Sequence, residues 1–194
     1  MTGERGTKVT ITVGLGDWVY YNTQTPSNFT STCYYYLIIL LMHRFSKIRG
    51  NEETTYKNKT EKLKELINEK YLNRQIVLYA NGSQTAQAVA LVPDEFVEKV
   101  AANLNRAVVE NHYSLDFRLP GSKYLPRMLS NYGYVETACQ MATKEMAPSW
   151  GYWIKQGFTT AIIYTETVVE VKGGAHRFLF EPKKLDRQIL EPEP

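Results

Sequence analysis

Apolar and polar positions alternate along this chain with two different periods. At the start the period is two: Val9, Ile11 and Val13 share one side, Lys8, Thr10 and Thr12 the other. That pattern predicts a half-buried strand. Gly14-Leu15-Gly16-Asp17 reads as a tight turn and Trp18-Val19-Tyr20-Tyr21 as the returning strand, which makes an N-terminal β-hairpin. Thr23 to Asn28, with Pro26, reads as a polar loop.

The period then lengthens to that of a helix. Capped by Ser31 or Thr32, a helix is expected to about Ile48, apolar nearly all round as far as Met42 and therefore central. Its last turn is basic, with His43, Arg44, Lys47 and Arg49 before Gly50, a usual helix stop. Residues 53–72 carry Tyr56, Leu63, Leu66, Ile67 and Tyr71 as a stripe among lysines and glutamates, a second helix. Gln75 to Ala80 reads as a short buried strand, and Thr85 to Val92 suits a helix or a strand. Pro93 opens a third helix with Val97, Val100, Ala101, Leu104, Ala107 and Val108 on its apolar face. Residues 114–123 read as a loop. A fourth helix runs from about Leu125 to Met146, with Gly133 as a close approach or a break. Phe158 to Val171 and His176 to Phe180, joined by Gly173-Gly174, read as a C-terminal hairpin.

This order predicts an α+β fold. A helical middle of about four helices packs on an antiparallel sheet built from the N- and C-terminal hairpins. Residues 1–181 form one domain and 182–194 a polar tail. The composition agrees with a single folded domain: 194 residues, 43% hydrophobic and 22% charged. A net charge of +3 excludes a strongly basic nucleic-acid coat. The longest apolar run, Tyr34 to Met42, would span about 14 Å as a helix, against roughly 30 Å for a bilayer core. No apolar leader stands in Met1 to Thr10, and Cys33 and Cys139 are isolated, so they read as reduced thiols in a cytoplasmic protein without a membrane anchor.

Candidate chemistry is sparse. The histidines are dispersed and no Cys or His pair has metal-ligand spacing, so no metal is expected. Gly14-Leu15-Gly16 precedes a predicted strand and lacks the run that cradles phosphate, so no cofactor is expected either. Asp17 and Asp116 are accounted for as turn residues, and no nucleophile–base pair nominates a reaction. Two stretches remain, 18–51 and 117–135, which contain no acidic residue. They hold Arg44, Lys47, Arg49, Arg118, Lys123 and Arg127, interleaved with aromatics such as Tyr132 and Tyr134. Cations that meet phosphates and rings that stack on bases predict a non-catalytic nucleic-acid-binding or nucleoprotein-assembly subunit, of a viral, mobile-element or defence assembly. The alternatives are a homo-oligomer joined through Trp150, Tyr152 and Trp153, and a small enzyme with a site assembled in space.

Overall fold

The structure, a computed structural model, describes residues 11–157 except 13, 15, 18–20, 51–53, 91–93 and 118. Seven α-helices carry the described chain: α1 (Ser27–Ile48), α2 (Thr54–Tyr71), α3 (Gln84–Val89), α4 (Val97–Glu110), α5 (Leu119–Asn131), α6 (Val135–Thr143) and α7 (Trp150–Lys155). A 3-10 turn, Asp94–Phe96, leads into α4. The sheet among the described residues is two short antiparallel strands, β1 (Leu72–Asn73) and β2 (Leu78–Tyr79), in which Leu72 faces Tyr79.

The helices form two layers. α1 packs on α3 and α3 on α5, which makes an inner row; α4 packs on α6 outside it. Each inner helix is joined to an outer one as a hairpin: α1 with α2, α3 with α4, α5 with α6. The outer helices are amphipathic in the ordinary way. α2 buries Leu63 and Ile67 and leaves its lysines and glutamates in water; α4 buries Val100, Ala101, Leu104 and Val108. α3 has no wet face, since Gln84, Thr85, Ala86, Gln87, Ala88 and Val89 are all buried. Its polar side chains are satisfied internally: Gln87 Nε2 donates to the Tyr79 carbonyl at 3.2 Å and its Oε1 accepts from Tyr79 N at 3.4 Å.

Two apolar clusters lie between the layers. One joins Leu104 and Val108 of α4 to Leu125 and Leu129 of α5, Met141 of α6 and Trp153 of α7. The other gathers Phe29 and Cys33 of α1, Ile67 of α2, Tyr79, Ala86 of α3 and Val100 of α4. Tyr124 and Met128 of α5 pack against both.

These observations correct the expected α+β fold, because the described chain is helical apart from β1 and β2. Of the N-terminal hairpin, Ile11 and Thr12 are not strand, and 18–20 lie outside the described residues. Ile11 N donates to Thr32 Oγ1 at 3.1 Å, so the segment bonds to a helix side chain where a strand would need a backbone partner. The C-terminal hairpin and the tail 182–194 lie outside the described residues. α1 begins at Ser27, four or five residues before the expected caps Ser31 or Thr32, because the Pro26 carbonyl already accepts from Phe29 N and Thr30 N at 3.1 and 3.2 Å. The strand expected over 75–80 shrinks to β2, after a turn that holds Val77 at φ 54°. The helix expected over Leu125–Met146 is two helices. Gly133 adopts φ +87°, a left-handed conformation that ends α5 and starts α6.

Candidate functional site

The segments that lead into α1, α3, α5 and α7 meet at one end of the inner row, and their contacts there are polar. Asp17 is only 2% exposed; its Oδ2 accepts from Thr25 Oγ1 at 3.0 Å and from Thr85 Oγ1 at 2.7 Å. The Thr25 hydroxyl also lies 2.7 Å from that of Ser83. Ser83 in turn caps α3, its Oγ accepting from Ala86 N at 3.2 Å. A second buried carboxylate, Asp116, precedes α5. Its Oδ1 accepts from the backbone N–H groups of Asn22 and Thr23 at 2.7 and 3.0 Å. Gln84 ties α3 to the same loop: its Oε1 accepts from Asp116 N at 3.2 Å and its Nε2 donates to the Ser114 carbonyl at 3.3 Å.

The rim continues to α7. Lys144 Nζ donates to the His112 carbonyl at 2.7 Å and to Ser114 Oγ at 2.5 Å, and desolvation lowers its pKa. Leu115 N donates to the Pro148 carbonyl at 3.0 Å, and Ser149 caps α7 by accepting from Tyr152 N at 3.0 Å while its hydroxyl donates to the Lys144 carbonyl. Buried carboxylates and amides are tolerated when such partners surround them. The rim is therefore a connected, buried polar network, with geometry fixed by side chains from four segments. Gly16 is required in it: at φ +61°, an added Cβ would lie 2.7 Å from Ser27 Cα.

Beside the rim the inner row presents tyrosines. A cleft of about 490 Å³ runs between the starts of α1 and α5, lined by Tyr34, Tyr35, Ile38, Leu119 and Pro120 with Ser31. A second, of about 280 Å³, is lined by Cys33, Tyr34, Tyr36, Leu40, Val89 and Tyr124, from α1, α3 and α5. Tyr34 belongs to both, and its ring meets that of Tyr124 edge-on at 6.4 Å. Burial pushes the Tyr34 phenol above its ordinary pKa, with smaller contributions from Tyr124 and from the Asp17 carboxylate. Among the described residues, no group of three or more His, Cys, Asp or Glu could hold a metal ion.

Residues 2–167 fit the bacterial alpha-L-rhamnosidase 6 hairpin glycosidase domain. The chain belongs to this family. Its three described hairpins are of the kind that the six-hairpin domain is built from, an α-helical barrel. An alpha-L-rhamnosidase from Formosa agariphila is 28% identical over 167 residues, covering 76% of this chain and 17% of that protein. One from Streptomyces avermitilis is 24% identical over 151 residues, covering 76% and 15%. The crystal structure of the S. avermitilis enzyme complexed with L-rhamnose has the same fold, with a TM-score of 0.73 at 23% identity over 77% of this chain and 15% of that one. The alpha-L-rhamnosidase of Dictyoglumus thermophilum gives a TM-score of 0.66 at 30% identity over 75% and 18%. The chain spans about a sixth of the length of the curated relatives that it matches.

Family membership overturns the nucleic-acid-binding and nucleoprotein-assembly expectation, and with it the nucleic-acid partner, because the relatives are glycoside hydrolases. The geometry gives the physical reason. Arg44, Lys47 and Arg49 are exposed at the far end of α1, and Arg49 stands about 22 Å along the helix from Tyr34. Lys123 and Arg127 are exposed on α5, with Lys123 Nζ over its neighbour Tyr124 at 5.2 Å. None of these cations lines either tyrosine cleft. Arg118 lies outside the described residues. Tyr134 packs against the core and Tyr132 is exposed in the turn between α5 and α6. Of the proposed interface residues, Trp153 is 5% exposed within the core, and Trp150 and Tyr152 pack against that core. The Trp150 ring meets Phe117 edge-on at 6.0 Å.

Sequence reasoning assigned Asp17 and Asp116 to turns and missed the rim. A usable clue was present at Asp116, a single acid between Leu115 and Phe117, both of which the structure buries.

Proposed function

We propose that this chain supplies substrate-binding surface to a glycoside hydrolase that cleaves α-L-rhamnosides. The observation that carries this reading is the family match over residues 2–167. The rim gives it chemical content. Sugar hydroxyls need hydrogen-bonding groups held in place before the ligand arrives, and the buried rim network fixes the segments at the helix starts that would present such groups.

Glycoside hydrolysis ordinarily uses two carboxyl groups, one to protonate the leaving oxygen and one to act as nucleophile or base. In this reading Asp17 and Asp116 do neither. Asp17 Oδ2 is engaged by Thr25 and Thr85, and Asp116 Oδ1 by Asn22 and Thr23, so these groups shape the rim. They act as positioning residues beneath the segments at the helix starts.

The test compares 4-nitrophenyl α-L-rhamnoside with 4-nitrophenyl α-D-mannoside. The expected result is a preference for the rhamnoside of about tenfold or more, in nitrophenol release or in affinity. No binding and no cleavage of the rhamnoside by the full-length chain would overturn the reading.

A further inference from the structure

The apolar side chains that stay in water are unevenly placed. Ile38, Leu41, Met42, Phe45 and Ile48 of α1 are between 37% and 81% exposed. They recur at helical spacing and form one stripe, opposite the face that buries Phe29 and Cys33. Single exposed hydrophobic residues are ordinary, but a contiguous patch on the order of several hundred Å² marks a contact surface. The stripe lies toward the end of α1 that is remote from the rim. α3 starts at the rim and is six residues long, so it reaches only about 9 Å along α1, which runs about 33 Å.

The other edge of the row carries apolar groups at the same end. Tyr132 and Val135, in the turn from α5 to α6, are 39% and 52% exposed. α7 leaves them open, because it starts at the rim and is itself only six residues long. The two edges differ in charge. α1 contains no acid and closes on Arg44, Lys47 and Arg49, whereas Val135 is followed by Glu136 in the first turn of α6. Arg127, one turn before the end of α5, is the like charge on that second edge, so apolar contact has to carry any association and charge can only orient it.

The domain of this family has six hairpins, and the described residues form three. In a closed barrel each inner helix has a neighbour on both sides, and α1 has α3 on one side. A two-fold rotation about the barrel axis sets the α1 edge of each copy against the α5–α6 edge of the other. We propose that two copies of this chain associate head to tail, the α1 stripe of each packing on Tyr132 and Val135 of the other, so that six hairpins close one barrel. The symmetry makes the contact twice, so each has to bury only about half of the roughly 1,600 Å² of a stable interface. Glu136 then faces the cationic end of α1 and sets the direction of pairing. The inference rests on the family's six hairpins and is independent of the sugar that the barrel binds.

Sedimentation velocity on the full chain, between about 1 and about 100 μM, reads the state of assembly, and circular dichroism checks that each variant is helical. The wild-type chain should sediment at twice its own mass at the upper concentrations. Phe45→Asp and Val135→Lys should each weaken the dimer at least tenfold, because each change enters both contacts. An equal mixture of the two variants should associate again. The mixed pair keeps one wild-type contact, and in the other it sets the introduced carboxylate against the introduced ammonium group. Ile48→Asp and Tyr132→Lys, at neighbouring exposed positions, replace either variant if it loses its helical signal. A wild-type chain that is monomeric throughout overturns the proposal; if Phe45→Asp then lowers stability to urea, a segment of the same chain covers the stripe. A dimer that Phe45→Asp breaks and Val135→Lys leaves intact sets α1 against α1, and overturns the barrel. So does a dimer that neither variant changes, or a mixture that stays monomeric.

Discussion

The space between the helical layers and the rim at the helix starts are both buried, but they are held by different forces. Between the layers, aliphatic and aromatic side chains meet: Leu104 and Val108 on the outer side, Leu125 and Leu129 on the inner. At the rim, hydroxyls, amides and carboxylates meet, and few apolar groups take part. Apolar burial is non-directional and scales with area, so the interlayer space sets stability. Hydrogen bonds add modestly to stability but demand a particular geometry, so the rim sets shape. A binding surface is best supported by the second kind of material.

The largest effect that tests this division is expected between the layers. Leu104 is fully buried in the cluster of α4, α5, α6 and α7. Leu104→Ala should cost about 3 kcal/mol in urea unfolding, the sum of lost transfer energy and residual cavity. Among the molecules that remain folded, affinity for a glycoside should be unchanged. A loss below about 1 kcal/mol would mean that interlayer packing is not what holds this chain.

The rim comes next. Thr85→Val keeps the side-chain shape and removes the hydroxyl that donates to Asp17. Leaving a buried carboxylate short of a donor should cost about 2 kcal/mol, since bonds to charged groups are the stronger ones. The matching change on the outer layer is Thr143→Val. There the hydroxyl is exposed and donates only to the Cys139 carbonyl one turn back, and the cost should stay within about 0.5 kcal/mol. Equal costs for the two variants would remove the distinction between rim and outer surface.

The two cysteines extend the comparison to reactivity. Cys33 is buried between the layers and Cys139 is exposed on α6. Burial pushes the Cys33 thiol up to about 12. Its folded pKa therefore lies above its unfolded value, so its contribution to stability is fully present below about pH 8.5 and is lost as pH rises toward 12. Cys33→Ala should flatten the alkaline fall in stability. A thiol reagent followed by mass spectrometry should label Cys139 in the native chain and Cys33 only after unfolding. Native labelling of Cys33 would show that the smaller cleft opens to solvent far more than its geometry allows.

Sequence alone found the outer layer better than the inner one, for a physical reason. Helices α2 and α4 each keep one face in water, and that contrast is what a 3.6-residue period records. The expected span 53–72 is nearly the observed Thr54–Tyr71. α3 has no such contrast, because all six of its residues are buried, and so helix and strand fit its sequence equally. The rim was harder still. Asp17 meets Thr85 across 68 positions and Asp116 meets Asn22 across 94, and no local pattern encodes such pairs. The expected nucleic-acid track failed in the same way. Absence of acids along the chain says nothing of where its cations come to lie: Arg44, Lys47 and Arg49 are exposed at the end of α1, Lys123 and Arg127 on α5, and Tyr134 packs against the core.

The smallest expected effect lies on the outer surface. Arg74 makes a 3.5 Å ion pair with Glu95, and both side chains are more than half exposed. Its guanidinium also lies over the Phe96 ring, 5.5 Å from the centroid. Exposed ion pairs and exposed ring–cation contacts each contribute little, so Arg74→Ala should cost about 0.5 kcal/mol in urea unfolding. Salt separates the two contributions. The ion pair is screened at 1 M sodium chloride, where the Debye length falls to roughly 3 Å, while packing of the guanidinium on the ring persists. If stacking dominates, the cost of Arg74→Ala is the same at low and high salt, and Glu95→Gln costs nothing measurable. If the ion pair dominates, the two variants lose equal stability at low salt and neither does at 1 M. A loss well above 1 kcal/mol in either variant would place part of the stability of this chain on its outer surface and break the division between layers and rim.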